Sequence, residues 1–363
     1  MSARTLALLA ALGMLLAACA GGVAAPSPTA SPSPTPSPTP KDQSAQVFVF
    51  SNSSPNVTVI DGETRKILRT KDLPGFKSWT WNDDNNYFDG QNIWLGHRDP
   101  QTTEAEVILL NADTLEITDR IALGKEPTTL YIGKPTKEGL LFVAKHASWQ
   151  LAVIDVKTHK LQRLVDVDVN AGTTGKAPQW AACDADSATA DDGVTRIYVP
   201  TSFGTTTTAI DAATGKVLRT LNHPVGSRPC MLTVSPDRKV WVQECDGNAM
   251  AILDPVTLEL LKRVPTGKGP VVAAFSADGR YGFTGHSGDT IVQVIDAKTF
   301  AEVKRIEVGA NPDKVAAHPN GKWLFAEISK EAAVAVIDMA TWSVVDRIPI
   351  GTNPTGIFAR TLP

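Results

Sequence analysis

The sequence is short of the features that make chemistry easy to read. It has four cysteines, and they form neither a Cys-x-x-Cys pair nor a Cys-x-x-Cys-His motif, which removes a covalently attached c-type haem but not a non-covalent cofactor. Its six histidines never recur at His-x-x-x-His spacing, so no local metal site is written along the chain. Lys and Arg total 35 against 38 Asp and Glu, a net charge of −3, and no basic block breaks the mixture. That weighs against a phosphate-binding footprint for nucleic acid. An apolar run of bilayer length is also missing, because the stretch from Leu6 to Leu16 is well below the ~20 residues a spanning helix needs.

That short run is informative in its position. It follows the single basic residue Arg4 and ends in Leu16-Ala17-Ala18-Cys19, the pattern of an export signal with small residues before the cleavage point. Leu-Ala-Ala-Cys resembles the lipobox of bacterial lipoproteins, which implies that residues 1–18 are removed and Cys19 carries the lipid. Residues 24–40, AAPSPTASPSPTPSPTP, are Pro, Ser, Thr and Ala and cannot bury a core. At ~3.1 Å per residue in polyproline geometry, a tether over 19–45 would hold the body up to roughly 80 Å from the lipid. The expected partners are therefore a membrane, through Cys19, and a protein, glycan or small molecule presented outside it. Localisation is expected to be extracytoplasmic, and the chain is read as a monomer.

The rest of the chain, 46–363, repeats. Asp or Asn followed three residues later by Thr occurs at Asp61, Asn111, Asp155, Asp211, Asp254, Asp296 and Asp338, each after a β-branched run. The intervals are 50, 44, 56, 43, 42 and 42 residues, the period of a four-stranded propeller blade. The acidic or amide side chain suits a tight turn between the third and fourth strands, where it accepts backbone N–H groups. A second mark, Gly-x-x-Pro, opens six blades at Gly124, Gly175, Gly226, Gly267, Gly309 and Gly351, with Gly expected to supply positive φ and Pro to fix entry into the first strand. The blade after Asp61 instead carries Pro74-Gly75-Phe76 and the Trp79/Trp81 pair. The body starts with a second-type strand, Gln46 to Phe50, and ends with a first-type strand, Thr355 to Ala359, so the last strand should complete the first blade. The expected fold is all-β: a seven-bladed propeller of four-stranded antiparallel blades, closed by pairing the C-terminal strand with the N-terminal blade.

In these repeats the chain resembles the YVTN-type β-propeller repeat of YncE-like proteins and, distantly, the haem d1 propeller of nitrite reductases. The resemblance covers about residues 46–360 and implies a fold far more than an activity. By the same resemblance, ligands belong on the face formed by the blade-entry loops and the loops after each second strand, and DNA binding is a lesser implied function that the near-neutral charge disfavours.

The residue ending each second strand forms a polar ring of Ser51, His97, Lys145, Thr201, Glu244, His286 and Glu327. Glu244, His286 and Glu327, with His97 and the adjacent His146, are acceptable ligands for a divalent ion, and a His beside a carboxylate can act as a general base. The simpler and preferred reading is a solvated polar rim. Arg228, Lys125, Lys176 and Lys268, with Asp313, Gln179, Trp79, Trp81 and Trp149, could hold an anionic or sugar-like molecule, against the same hydrated-rim alternative. No cofactor is required by the sequence. Cys230 and Cys245 flank the Ser235–Arg238 turn symmetrically and are expected to pair, leaving Cys183 as a buried thiol. His318 stands where Ser235 and Ser276 stand in their repeats, which makes it a turn residue. The segments Gly172–Lys176 and Ala185–Val194 read as inserts, and Asp184, Asp186, Asp191 and Asp192 as a weak calcium set without a fixed spacing. Two functions compete: a lipid-anchored binding module, and a lactonase-like or cofactor-dependent propeller enzyme working through the polar ring.

Overall fold

In the computed structural model the described residues are 44–73, 87–99, 101–167, 184–202 and 205–362. The signal and tether, Cys19, Trp79, Trp81, Lys176, Gln179, Cys183 and the Gly175/Pro178 entry lie outside them. Twenty-eight described strands form seven sheets of four, each a meander whose neighbours are antiparallel. The first blade is assembled from both ends of the body: β28 (Pro354–Thr361) pairs with β1 (Ala45–Ser51), which pairs with β2 (Asn56–Asp61) and then β3 (Ile67–Asp72). Blades two to seven follow in order, and their innermost strands are β4 (Tyr87–Phe88), β8 (Leu130–Ile132), β12 (Asp186–Thr189), β16 (Pro229–Val234), β20 (Pro270–Phe275) and β24 (Pro312–Ala317).

The segment Ala185–Val194, read as an insert, is instead the innermost strand of the fourth blade and its turn. Its four residues, Asp-Ser-Ala-Thr, carry no β-branched apolar pattern, so periodicity could not reveal them. The middle strands are buried on both faces and so read as continuous apolar runs, while the outermost strands alternate exposed and half-buried residues. Those outer edges bear Arg69, Arg163, Arg219, Lys262, Lys304 and Arg347, charges that discourage edge-to-edge pairing.

The D/N-x-x-T turns explain how the blades are held together. In all seven the acidic or amide oxygen accepts the Thr backbone N–H at 2.7–3.0 Å. The next residue then takes left-handed φ: Arg65, Leu115, His159, Gly215, Leu258, Phe300 and Trp342, at 53–75°. This bend aims that residue at the preceding blade. His159 meets Trp94 and Asp119 of the second blade, Phe300 meets Trp241 of the fifth, Trp342 meets Tyr281 of the sixth, and Arg65 lies over Trp323 of the seventh. Leu115 and Leu258 are buried in clusters with first- and fourth-blade residues. At the fourth blade a Cβ on Gly215 would sit 3.3 Å from Val165 of the third. One turn per blade therefore both closes a hairpin and clamps the next joint.

Candidate functional site

A four-stranded meander puts its first-to-second and third-to-fourth turns on one face, and its second-to-third turns and blade entries on the other. The polar ring sits on the latter face, but it is not a solvated rim. Ser51, Lys145, Thr201, Glu244, His286 and Glu327 are all buried, with Glu244 at 1% exposure and His286 and Glu327 at 0%. This corrects the rim reading: the ends of the second strands turn inward and serve as internal hydrogen-bonding posts.

Glu244 shows the arrangement most fully. Its Oε1 meets His223 Nδ1 at 2.8 Å, while Oε2 accepts Arg263 Nε at 2.6 Å, and Thr207 Oγ1 lies 2.8 Å from His223 Nε2. Burial alone would raise the Glu244 carboxyl, yet the hydrogen bonds and charges of His223 and Arg263 bring it below its ordinary range. The chain hydroxyl–imidazole–carboxylate has the order of a catalytic triad, but Thr207 is 0% exposed and cannot reach a substrate. It latches the fourth blade to the fifth. His286 is held as neutral imidazole: Nδ1 lies 3.0 Å from the Ile291 carbonyl and Nε2 accepts the Gly267 N–H at 3.1 Å. Desolvation lowers its pKa against the counter-effect of the Ile291 hydrogen bond. His97 pairs with Glu106 at 2.9 Å within its own blade. His146 is 8% exposed, packs on Tyr131, and is pushed down to about 4 by burial. Strand register sets Glu327 opposite the Asp313–Lys314 bulge of β24, and Lys314 is likewise fully buried. Arg228, with its side chain 42% exposed, pairs with Asp246 at 3.0 Å.

The ring therefore does not gather into one site. Among the described residues no three His, Cys, Asp or Glu side chains converge as a metal would need, which removes the described Glu244/His286/Glu327 set as metal ligands. The calcium set is dispersed for the same reason. Asp184 and Asp186 point their carboxylates across to the fifth blade, where Oδ2 of each accepts the Leu232 and Val234 N–H at 3.1 and 2.8 Å. Asp191 pairs with Arg238, and Asp192 grips Arg196 at 2.8 and 2.5 Å. His318 keeps its turn, accepting Asn320 N–H at Nδ1 and Gly321 N–H at its carbonyl.

The entry glycines also differ from expectation. Gly124, Gly226 and Gly309 have positive φ, but Gly267 and Gly351 do not. A Cβ at Gly267 would lie 2.9 Å from His286, and one at Gly351 2.7 Å from Ser51, so close packing on the ring residues demands Gly there. Glu126 was missed altogether. It is 0% exposed and accepts five hydrogen bonds from Thr128, Ala147 and Ser148, stapling a blade entry to the loop after the second strand. Its signal was available, since it is the only acidic residue before the Pro in any Gly-x-x-Pro. Cys230 and Cys245 form a disulfide with Cα atoms 6.0 Å apart, at the bulge where β16 leaves register with its partner.

Among the described residues, open space of ligand size lies on the opposite face. A cavity of about 490 Å³ occupies the channel mouth on the D/N-x-x-T side, where the ends of the innermost strands of blades four to seven and of β28 meet. Lys134 of the third blade and Arg238 of the fifth stand at its rim, with Ser187, Thr189 and Ser235 beside them. Its size falls in the range of about 300–1,000 Å³ typical of small-molecule sites.

No protein-family model matches the chain, and no curated protein matches it either. Solved structures do. The periplasmic gluconolactonase PpgL of Pseudomonas aeruginosa is similar with TM-score 0.67 and 16% identity, over 88% of this chain and 99% of that one. Citrobacter koseri AztD gives 0.59 and 12%, over 88% and 99%. The dihydro-heme d1 dehydrogenase NirN gives 0.57 and 14%, over 84% and 63%. At these identities the likeness establishes a seven-bladed propeller with gluconolactonase-like structural neighbours and leaves chemistry to the residues.

Proposed function

We propose that this chain is an extracytoplasmic binding propeller, tethered through lipid on Cys19, that receives a small ligand in its channel mouth. The observation that carries this reading is the division of labour between faces. The described carboxylates and imidazoles of the polar ring are engaged inside and between blades, whereas the open cavity is walled by small, hydroxylated and apolar side chains with two cations at the rim. Such a lining holds and selects a molecule. The test is a ligand screen by thermal shift on the parent and on Ala317→Trp, which places a large ring at the cavity wall. A hit that stabilises the parent and not the variant supports the reading; hits that stabilise both equally refute it. For the tether, Cys19→Ala should move the protein from the membrane fraction to the soluble one.

The gluconolactonase neighbour favours a second reading, lactone hydrolysis. It is tested by following proton release from glucono-1,5-lactone with the purified chain. A rate no higher than spontaneous ring opening removes it.

A further inference from the structure

The first-to-second turns around the channel mouth share one conformation. In five of them the fourth residue donates its N–H to the carbonyl of the first, at 2.7–2.9 Å, and takes left-handed φ. Four use glycine there: Gly139 at 82°, Gly193 at 78°, Gly279 at 69° and Gly321 at 73°. The fifth blade uses Arg238, at 70°. A side chain in this region costs roughly 1–2 kcal/mol that glycine avoids, and Arg238 recovers little of it structurally. Its one ion pair, to Asp191, joins side chains 48% and 84% exposed, a setting in which such pairs contribute little. What the position does secure is a guanidinium at the edge of the cavity.

The cavity wall is also lopsided. The side of blades three to five carries all the polar lining, Lys134, Arg238 and the hydroxyls of Ser187, Thr189 and Ser235 among them, set between Ala188, Val234 and Pro236; the side of blades six, seven and one, with Phe275 and Phe358, is wholly apolar. A ligand matching both sides has one polar end and an apolar body. Each cation already faces one carboxylate, Lys134 the buried Asp186 at 3.7 Å and Arg238 the largely exposed Asp191. An anion taken by Arg238 replaces the exposed Asp191, which frees one positive charge and so suits one negative charge rather than a dianion.

We propose that the channel mouth binds a small amphiphilic carboxylate, its carboxylate taken bidentately by Arg238 with Lys134 alongside and its apolar body laid against Phe275 and Phe358. This rests on the reading of the channel mouth as the ligand site, and adds the ligand's class and the residue that selects it.

The experiment compares octanoate with octanol, by titration calorimetry, on the full chain, on Arg238→Gly and on Arg238→Lys. Arg238→Gly is informative because it restores the residue that the other turns use. Its Tm should rise by about 1–3 °C, so any lost binding is not lost folding. Octanoate should bind the parent at least about tenfold more tightly than octanol, Arg238→Gly should lose that preference, and Arg238→Lys should keep part of it. If octanoate and octanol bind the parent equally and Arg238→Gly changes neither, the carboxylate assignment falls while the channel mouth stands as a site. If neither binds the parent at millimolar concentration while other compounds in the cavity screen do, the ligand class is wrong. If nothing in that screen binds the cavity, both readings fall.

Discussion

Leu258 offers a direct test of the inter-blade clamp, because its side chain and its backbone pull in opposite directions. The side chain is 2% exposed and packs with Tyr198 and Ala209 of the preceding blade, while the backbone is held at φ 57°. Leu258→Ala removes the buried isobutyl group and should cost about 2–5 kcal/mol, leaving the left-handed strain in place. Leu258→Gly loses this packing and the β-carbon as well, worth about 0.8 kcal/mol, and loses about 0.5–1 kcal/mol to the extra freedom of an unfolded glycine, but it releases roughly 1–2 kcal/mol of strain. The usual advantage of Ala over Gly should therefore vanish at this position. Leu95 supplies the contrast, since it is fully buried in a strand paired in unbroken register over that residue, and there Gly should be clearly worse than Ala. The assay is the urea midpoint of all four variants at matched m-values. If the Gly-for-Ala penalty at 258 is not smaller than that at 95 by about 1–2 kcal/mol, the clamp is not strained and the account of the turn fails.

Further expectations follow from the buried groups. Burial holds the His146 imidazole at about 4 against 6.5 when unfolded, so the unfolded chain binds the proton first. Its contribution is whole above pH 6.5 and disappears as pH falls through about 4, by up to about 3 kcal/mol; His146→Gln should flatten the melting profile over that window. Glu244→Gln should cost about 3–5 kcal/mol by leaving Arg263 and His223 short of their partner, and a double-mutant cycle with His223→Gln should return a coupling of about 0.5–3 kcal/mol. Reducing the Cys230–Cys245 bridge, which closes a separation of 15 residues, should lower stability by about 3 kcal/mol, read as a fall in urea midpoint with reductant.

The architecture was open to a reader of the sequence because turns impose local chemistry. An Asp must precede its Thr by three residues wherever the oxygen caps that turn, so seven turns announce seven blades. The fourth blade's first strand was hidden, because Asp186 and Ser187 carry no hydrophobic signal and do their work by hydrogen bonds to another blade. The polar ring residues stand at or one residue before the ends of their second strands, but most of them are buried where a solvated rim was expected. Polarity in a sequence does not say whether water or a buried partner satisfies it, and His223, the partner of Glu244, stands 21 residues away at the end of the preceding blade. The channel mouth was invisible for a related reason: Arg238 becomes conspicuous only when its backbone angle is compared with the glycines in the same turn. Among the described residues the cavity proposed as the ligand site lies on the face opposite to the one the resemblance implied.

The placement of β1 has a mechanical meaning. Tension applied to the chain ahead of the body would enter it at Ala45, the first residue of a strand hydrogen-bonded along its length to β28 on one side and β2 on the other. To be drawn out, β1 must slide past both neighbours together, so many hydrogen bonds resist at once instead of opening one after another. Arg360 to Gln46 and Ser54 to Thr352 add side-chain ties across the same seam. A ring closed with its amino-terminal strand on the outside would peel like tape; this one holds that strand between two neighbours.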